Sequence, residues 1–193
     1  IHEQIANALA DVAGGNADAF TMVRHLSASG QNTRAAKRAL EAGEKAVAGM
    51  AFDQAAELLQ MAISLGDYSA EEERELKLKL ASVFVNCGQS KKAADLYMFS
   101  ANGQEGDERL HCELLAGSQF LFAGYIPEGL EIMEKVMVDI GENMPKSSKG
   151  ALLSLLWNRV KLKLRGREWR VQKESDIRPK EMRRLDVYKV ISI

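Results

Sequence analysis

A fixed spacing of small and large side chains recurs three times in this chain and strongly limits its fold. In each copy a small residue is followed twelve residues later by a second small residue, and four residues after that by a large one. The copies are Gly43, Ala55 and Leu59; Ala81, Ala93 and Tyr97; and Gly117, Gly129 and Met133. Small residues at these positions let two antiparallel helices approach closely, while the large residues fill the groove against the next pair. The spacing therefore predicts stacked helix pairs, because one pair cannot bury both of its faces.

Turn and capping residues divide the chain into helices with this periodicity. The three pairs are predicted over 33–48 and 52–65, 70–87 and 91–101, and 107–123 and 127–141. Asn32 or Thr33 is expected to cap the first of these helices, and Ser69 with Glu72 predicts a capping box at the third. Other helical patterns cover 1–12, a segment capped by Asn16 or Asp18 that ends at Gly30, a stretch from Ser147 to Leu164, and a last helix from Pro179.

Composition supports helices and excludes several classes of protein. Hydrophobic residues make up 46% of the chain but aromatic residues only 6%, which suits close-packed helices built from Ala, Leu, Val and Met. The net charge is -1, so the chain has no overall positive charge that would attract nucleic acid or anionic lipid. Cys87 and Cys112 lack metal or redox spacing, which indicates a reduced, cytoplasmic protein. The apolar run 151–157 is far shorter than the ~20 residues that span a bilayer.

No motif for catalysis or cofactor binding is present. The sequence contains neither a GxxxxGK[ST] phosphate loop nor a GxGxxG or HRD loop, so we expect no catalytic residue, cofactor or nucleotide. His111 and Cys112 are adjacent and point about 100° apart on a helix, so no metal site is predicted. The acidic run 71–75 favours a solvated helix start over a docking patch. The basic stretch 159–170, near Trp157 and Trp169, spreads over two helix faces and favours a solvated or domain-contact face over direct nucleic-acid binding.

The offsets resemble those of the tetratricopeptide repeat, a helix-turn-helix unit of 34 residues. The steps from Ala55 to Ala93 and from Ala93 to Gly129 are longer, at 38 and 36 residues, and the usual first-helix Trp and terminal Pro are absent. We therefore predict an all-α fold, a degenerate tetratricopeptide-like right-handed superhelix of antiparallel helix pairs, over a compact irregular bundle. Residues 1–32 are interpreted as N-terminal helices, 33–145 as three helix pairs, and 146–193 as a further helix, a connector and the start of a truncated helix.

A longer string also resembles the segment that follows the ATPase module in large bacterial signalling proteins. The string is MVRHLSASGQNTRAAKRALEAGEKAVAGMAFDQAAELLQMAISL, with later likenesses over 78–97, 124–137 and 155–186. The matching positions are His25, Gly30, Ala35, Ala36, Ala39, Ala42, Ala46, Ala51, Phe52, Asp53, Ala55, Ala56 and Leu59. Ser27, Ser29 and Cys87 depart from the pattern of these proteins.

This resemblance implies a cytoplasmic, non-catalytic segment of a multidomain serine/threonine kinase or regulator with a signal-transduction-class P-loop ATPase. Residues 1–32 would then be the helices that join this segment to the preceding ATPase module. The segment would bind a protein, a peptide or neighbouring domains of its own chain, and binding would bias the ATPase between states. In such arrays the first helix of each pair lines the concave surface. The candidate binding residues there are Arg38, Glu41, Lys45, Lys79, Asn86, Glu113 and Gln119. The alternatives are the sensor array of an ATPase-type transcriptional regulator, with its DNA-binding module elsewhere, and an enzyme accessory domain without a ligand.

Overall fold

The computed structural model describes residue 5 and residues 19–142, 147–165 and 179–191. Within these residues the chain is helical and contains no strand, which confirms the predicted all-α class. The helices are α1 (Ala19–Ala28), α2 (Asn32–Ala48), α3 (Phe52–Leu65), α4 (Ala70–Asn86), α5 (Ser90–Ala101), α6 (Gly106–Phe122), α7 (Ile126–Asp139), α8 (Ser148–Arg165) and α9 (Pro179–Ile191). The predicted caps Asn16 and Asp18 and most of the predicted helix 1–12 lie outside the described residues, as does the connector 166–178.

Helices that follow one another in the sequence pack against one another. The pairs are α2 with α3, α4 with α5, and α6 with α7. Connections of three residues join the two helices of each pair, so the chain reverses direction between them. Contacts of α1 with α2, of α3 with α4 and of α5 with α6 join the pairs into a continuous stack. This order of contacts agrees with the predicted tetratricopeptide-like arrangement rather than with an irregular bundle.

The recurrent spacing is explained by close contacts inside each pair. A Cβ atom on Gly43 would lie 3.1 Å from the Leu59 side chain, and one on Gly117 would lie 3.0 Å from the Met133 side chain. In the middle pair Ala81 and Tyr97 belong to one buried cluster. The small residue of the first helix thus leaves the space that the large residue of the second helix fills.

The turns inside the pairs share one backbone conformation. The residues Met50, Gly88 and Gly124 follow the three first helices with φ angles of 58°, 70° and 83°. After each of them an amide donates to a carbonyl five residues earlier, at 2.9, 2.8 and 2.9 Å. This geometry is a Schellman-type helix end, in which the left-handed position is normally occupied by Gly. The predicted turn at Gly49 is present, but the left-handed residue is Met50.

Helix starts follow the sequence in one case and differ in another. Ser69 and Glu72 form the predicted capping box, since the Glu72 amide donates to the Ser69 hydroxyl and the Ser69 amide donates to the Glu72 carboxylate. The start of α2 departs from the prediction, because its N-cap is Gln31 rather than Asn32 or Thr33. Gln31 makes no side-chain cap there, but its carbonyl accepts a hydrogen bond from Ala35.

Three buried clusters follow one another along the stack. The first joins α1, α2 and α3, the second joins α3, α4, α5 and α6, and the third joins α6, α7 and α9. Val187 of α9 completes the third cluster, where it packs with residues that include Leu114 and Val136. The described side chains of α8 contribute to none of these clusters and are almost all exposed.

Candidate functional site

The exposed sides of the first helices α2, α4 and α6 lie next to one another. An ion pair of 2.8 Å joins Glu44 of α2 to Lys79 of α4, and a weaker one of 3.9 Å joins Arg74 of α4 to Glu108 of α6. We name this surface the first-helix face. Its exposed or half-exposed residues are Arg34, Lys37, Arg38, Glu41, Glu44 and Lys45 on α2; Glu71, Glu72, Glu75, Lys79, Ser82 and Asn86 on α4; and Asp107, Glu108, His111 and Phe122 on α6.

Five of the seven candidate binding residues lie on the first-helix face. Arg38 and Glu41 form an exposed ion pair of 3.0 Å within α2, and Lys45 is exposed one turn further along. Lys79 reaches Glu44 of the neighbouring helix, and the Asn86 amide donates to the carbonyl of Ser82. The structure therefore places these five side chains on one surface that crosses from the first pair to the second.

Glu113 and Gln119 lie elsewhere, because α6 is enclosed by α5, α7 and α9. Glu113 is only 3% exposed. Its carboxylate accepts hydrogen bonds of 3.0 Å from Arg109 and of 2.6 Å from Lys135 of α7. Gln119 is also buried. Glu113 thus joins α6 to α7 and, with Gln119, is not available on the first-helix face, contrary to the expectation from the sequence.

The nine spacing residues are all buried. They are Gly43, Ala55, Leu59, Ala81, Ala93, Tyr97, Gly117, Gly129 and Met133. The tightest is Gly129, where a Cβ atom would lie 2.7 Å from the Leu121 side chain and 3.1 Å from the carbonyl oxygen of Gly117. These positions hold the pairs together and present no group to a partner.

The charges of the first-helix face divide between its two ends. The α2 side carries four bases and two acids among its face residues, whereas the α4 side carries three acids and one base. Asp107 and Glu108 extend the acidic end onto α6. The sequence predicts only part of this set, because Arg34, Lys37, Glu75 and His111 are identified as face residues only once the packing of each helix fixes its orientation.

Hydrogen bonds favour the charged forms of four side chains on α4 and α6. The hydrogen bond from Arg74 lowers the pKa of the Glu71 carboxyl, and the hydrogen bond from Ser69 lowers the pKa of Glu72. The hydrogen bond to Asp139 raises the pKa of Arg109, and the one to Glu71 raises the pKa of Arg74. Fixed charges of this kind suit electrostatic recognition, whereas proton transfer needs a group that titrates near neutrality.

The two thiols are not activated for chemistry. Burial raises the pKa of Cys112 and of Cys87, so both favour the neutral thiol. Among the described residues no group of three or more His, Cys, Asp or Glu side chains could hold a metal ion. None of the helices in the described part of the chain is long and apolar enough to cross a membrane.

A second open surface lies between α3, α4 and α5. It is a groove of about 660 Å³ lined mainly by apolar side chains, including Met61, Ile63, Leu80 and Leu96. Glu57 and Lys77 add charge to the lining, and the Lys77 ammonium lies 3.4 Å from the centroid of the Phe99 ring. The sequence does not predict this groove, because its residues come from three helices. The signal for it in the sequence is a set of partly exposed apolar residues on second helices.

Comparisons with known proteins add a likeness of fold only. No family model matches the sequence, and no curated protein matches it. The chain is similar to a crystal structure of nearly identical TPR-like repeats from a Podosopora anserina protein described as a kinesin light chain, with 16% identity and a TM-score of 0.42 over 70% of this chain and 82% of that one. A form of that protein with one substitution gives 16% identity and a TM-score of 0.41 over 70% and 81%. At these scores neither likeness carries a functional conclusion, and the repeat architecture rests on the chain's own helix contacts.

Proposed function

We propose that residues 33–145 are a non-catalytic protein-interaction segment whose first-helix face binds a protein or peptide. The observation that carries this proposal is the continuity of the face from α2 to α4 and on to α6, with the ion pairs Glu44–Lys79 and Arg74–Glu108 across the two junctions. The nine spacing residues stabilise the stack from inside, so the charges of the face are not needed for the core. Helical repeats typically separate the residues that stabilise the stack from the surface residues that bind a partner.

The charge distribution defines the kind of partner. Acidic residues of a partner would face the basic side at Arg34, Lys37 and Lys45, and basic residues would face the acidic side at Glu72 and Glu75. Each exposed ion pair contributes only about 0.2–1 kcal/mol, so a partner must engage several charges in the correct order. The face is therefore expected to select by charge pattern and to accelerate association more than it increases affinity.

The larger protein is proposed from the sequence resemblance alone. We place the segment in a cytoplasmic, multidomain bacterial signalling protein, a serine/threonine kinase or regulator with a P-loop ATPase. Residues 1–32 would join the ATPase, and 146–193 would continue the chain beyond the repeats. Partner binding to the stack would shift the ATPase between two states by the difference in affinity for them. The second candidate is the sensor array of an ATPase-type transcriptional regulator, supported by the same resemblance.

Peptides with ordered charges test the binding proposal. The probe is a fluorescent peptide with one block of Glu and one block of Lys, made in both orders, and the matched control has the same composition with alternating charges. Fluorescence anisotropy is expected to show tighter binding of one block peptide than of the alternating peptide. Equal affinity for all three peptides would contradict recognition by charge order.

Two matched variants locate the binding on the face. Lys45→Glu on the first-helix face removes one attraction and adds one repulsion, so it is expected to weaken binding of the preferred block peptide by up to about tenfold, which is about 1.4 kcal/mol. Arg24→Glu removes an equally exposed base from α1, outside the face, and is expected to leave the affinity unchanged. Equal losses in the two variants would show a general charge effect and would remove the face as the binding site.

The parent protein is tested separately. The flanking coding sequence is expected to contain a P-loop ATPase module upstream, and a kinase module supports the first candidate while a DNA-binding helix-turn-helix supports the second. Calorimetry of residues 1–193 with magnesium ATP is expected to show no binding heat. Nucleotide binding by the chain would contradict the non-catalytic assignment even if the peptide experiment succeeds.

A further inference from the structure

Helix α8 exposes most of a large apolar surface. Its large hydrophobic side chains range from 47% exposed at Val160 to 83% at Leu164. They are Leu152, Leu153, Leu155, Leu156, Trp157, Val160, Leu162 and Leu164. None of its described side chains is buried. A patch of this size on an otherwise well-packed chain marks an interaction site.

Helical periodicity gathers most of these side chains on one side of α8. At about 100° per residue, Leu152, Leu153, Leu156, Trp157, Val160 and Leu164 form one stripe. Leu155 and Leu162 point to the other side. Ser148–Arg165 contains five bases and no acid, and Arg159 and Lys163 lie along one edge of the stripe. The α8 stripe is therefore apolar, and the charged side chains around it are all basic.

Helix α7 leaves a complementary face uncovered. Leu130 is 45% exposed, and Ile126 and Val138 are also exposed. The residue that corresponds to Leu130 in the preceding pair is Ala94, which is 0% exposed on α5 between α4 and α6. The corresponding residue of the first pair, Ala56, is buried as well. This column is where the next first helix packs, and on α7 that position is open.

The charges of the two surfaces have opposite signs. At about 100° per residue, Glu134 and Glu131 lie about 40° and 100° around α7 from Leu130, whereas Glu128 lies on the opposite side of the helix. The α8 stripe is bordered by bases only. Apolar surface and opposite charge therefore match between α7 and α8.

The α8 helix of the same chain does not cover this face, since none of its described side chains is buried. A chain that turns back after α7 would place the start of α8 against the end of α7. Helix α9 packs on another side of that region, where its Val187 lies in one cluster with Val136 and Ile140 and its Arg184 forms an ion pair with Glu142, while Val138 stays exposed. A helix from another copy is not connected to the end of α7 by the chain, so it can lie along the open half of α7 that contains Ile126 and Leu130.

We propose that α8 of one copy packs its apolar stripe on the α7 face of a second copy, and that the two copies exchange this helix reciprocally. Such an exchange buries the α8 stripe twice and closes on itself with twofold symmetry, so the assembly stops at a dimer. The bases Arg159 and Lys163 of one copy then lie near the acids Glu131 and Glu134 of the other. This inference stands on α7, α8 and α9 and is independent of the peptide-binding proposal.

Sedimentation equilibrium of the whole chain over a concentration series tests the exchange. The wild-type mass is expected to be twice the chain mass of 21.3 kDa. Leu156→Glu in the α8 stripe and Leu130→Glu on α7 are each expected to halve that mass. Leu162→Glu, on the other side of α8 and similarly exposed, is the matched control and is expected to remain a dimer. A monomer at every concentration, or equal loss in Leu156→Glu and Leu162→Glu, would overturn the proposal.

Charge reversal adds a test that does not depend on apolar contacts. The double variant Arg159→Glu, Lys163→Glu is expected to raise the dimer dissociation constant about tenfold. Combining it with Glu131→Lys and Glu134→Lys is expected to restore the dimer, and failure of this rescue would exclude the proposed pairing. Circular dichroism checks that the variants keep their helix content, and if Leu130→Glu does not, the α8 variants decide the question.

A membrane surface is the other kind of partner that a basic, apolar helix can bind. Flotation with vesicles of phosphatidylcholine and phosphatidylserine distinguishes it from self-association. The proposal expects a dimer that does not float with these vesicles. A monomeric chain that floats, and loses flotation in Leu156→Glu, would overturn the exchange in favour of the membrane.

Discussion

Helices α6 and α8 have nearly the same length and each follows the second helix of a pair, but their surroundings are opposite. Helix α6 has nine buried residues out of 17, among them the polar side chains of Glu113, Ser118 and Gln119. Helix α8 has 18 residues, eight of them large and apolar, and none of its described side chains is buried. Burial in this chain therefore depends on how many neighbours a helix has, more than on how hydrophobic it is.

The largest difference between the two helices is expected on truncation of a leucine. Leu114 of α6 is 3% exposed and packs in the third cluster, so Leu114→Ala is expected to lower the free energy of unfolding by about 3 kcal/mol. Leu162→Ala in α8 removes an exposed side chain and is expected to change it by less than about 0.5 kcal/mol. Urea unfolding followed by circular dichroism measures both, and similar losses would contradict the contrast.

The contribution of α9 to the enclosure of α6 is tested at Val187. This side chain is 1% exposed against α6 and α7, so Val187→Ala is expected to lower the free energy of unfolding by about 2 kcal/mol. Amide exchange in the first half of α6 should become faster. Leu185→Ala on the exposed side of α9 is the control. Unchanged exchange in α6 would mean that its burial does not need α9.

Alanine substitutions at two glycines contrast a closely packed position with an open one. In Gly129→Ala the new methyl group meets Leu121 and the backbone of Gly117, so a loss of about 1.5 kcal/mol is expected. In Gly150→Ala of α8 the methyl group meets only the Ser147 hydroxyl, at 3.2 Å. This control should be neutral or stabilising, because Ala favours helices over Gly. The denaturant midpoints of the two variants measure these changes in stability. A destabilised Gly150→Ala would mean that α8 packs more closely than the structure shows.

The smallest expected effect comes from a substitution that changes backbone strain without changing core packing. Met50 is 78% exposed and has a φ angle of 58°, at the position that Gly88 and Gly124 occupy in the other pairs. Met50→Gly is expected to relieve the left-handed strain and to add about 0.5 kcal/mol, since part of the gain is offset by a more flexible unfolded chain. Gly88→Ala is the reverse control and should destabilise. Thermal unfolding measures the stability of both variants. A destabilised Met50→Gly would mean that the Met50 side chain contributes stabilising contacts.

Local signals made much of the fold predictable. The helix boundaries, the Ser69–Glu72 capping box and the twelve-residue spacing of Gly43 and Ala55 depend on neighbours in the sequence, and the structure has the corresponding features. The sequence pattern predicts Glu113 on the binding surface because the pattern reports only on the helix that contains Glu113. Its burial depends on Lys135 of α7 and on the enclosure of α6 by its neighbours. The open position beside Leu130 is likewise visible only when all neighbours of α7 are known.

The order of helix contacts also affects how the molecule assembles. Contacts from α1 to α7 join helices that are adjacent in the sequence, so the loops that close are short and each pair can form soon after it is synthesised. The contact of α9 with α6 is different, because it closes a loop that includes α7 and α8. Loop closure of that length costs more entropy, so α9 is expected to dock last. During that interval the end of the stack is open, and a nascent chain could meet another copy there.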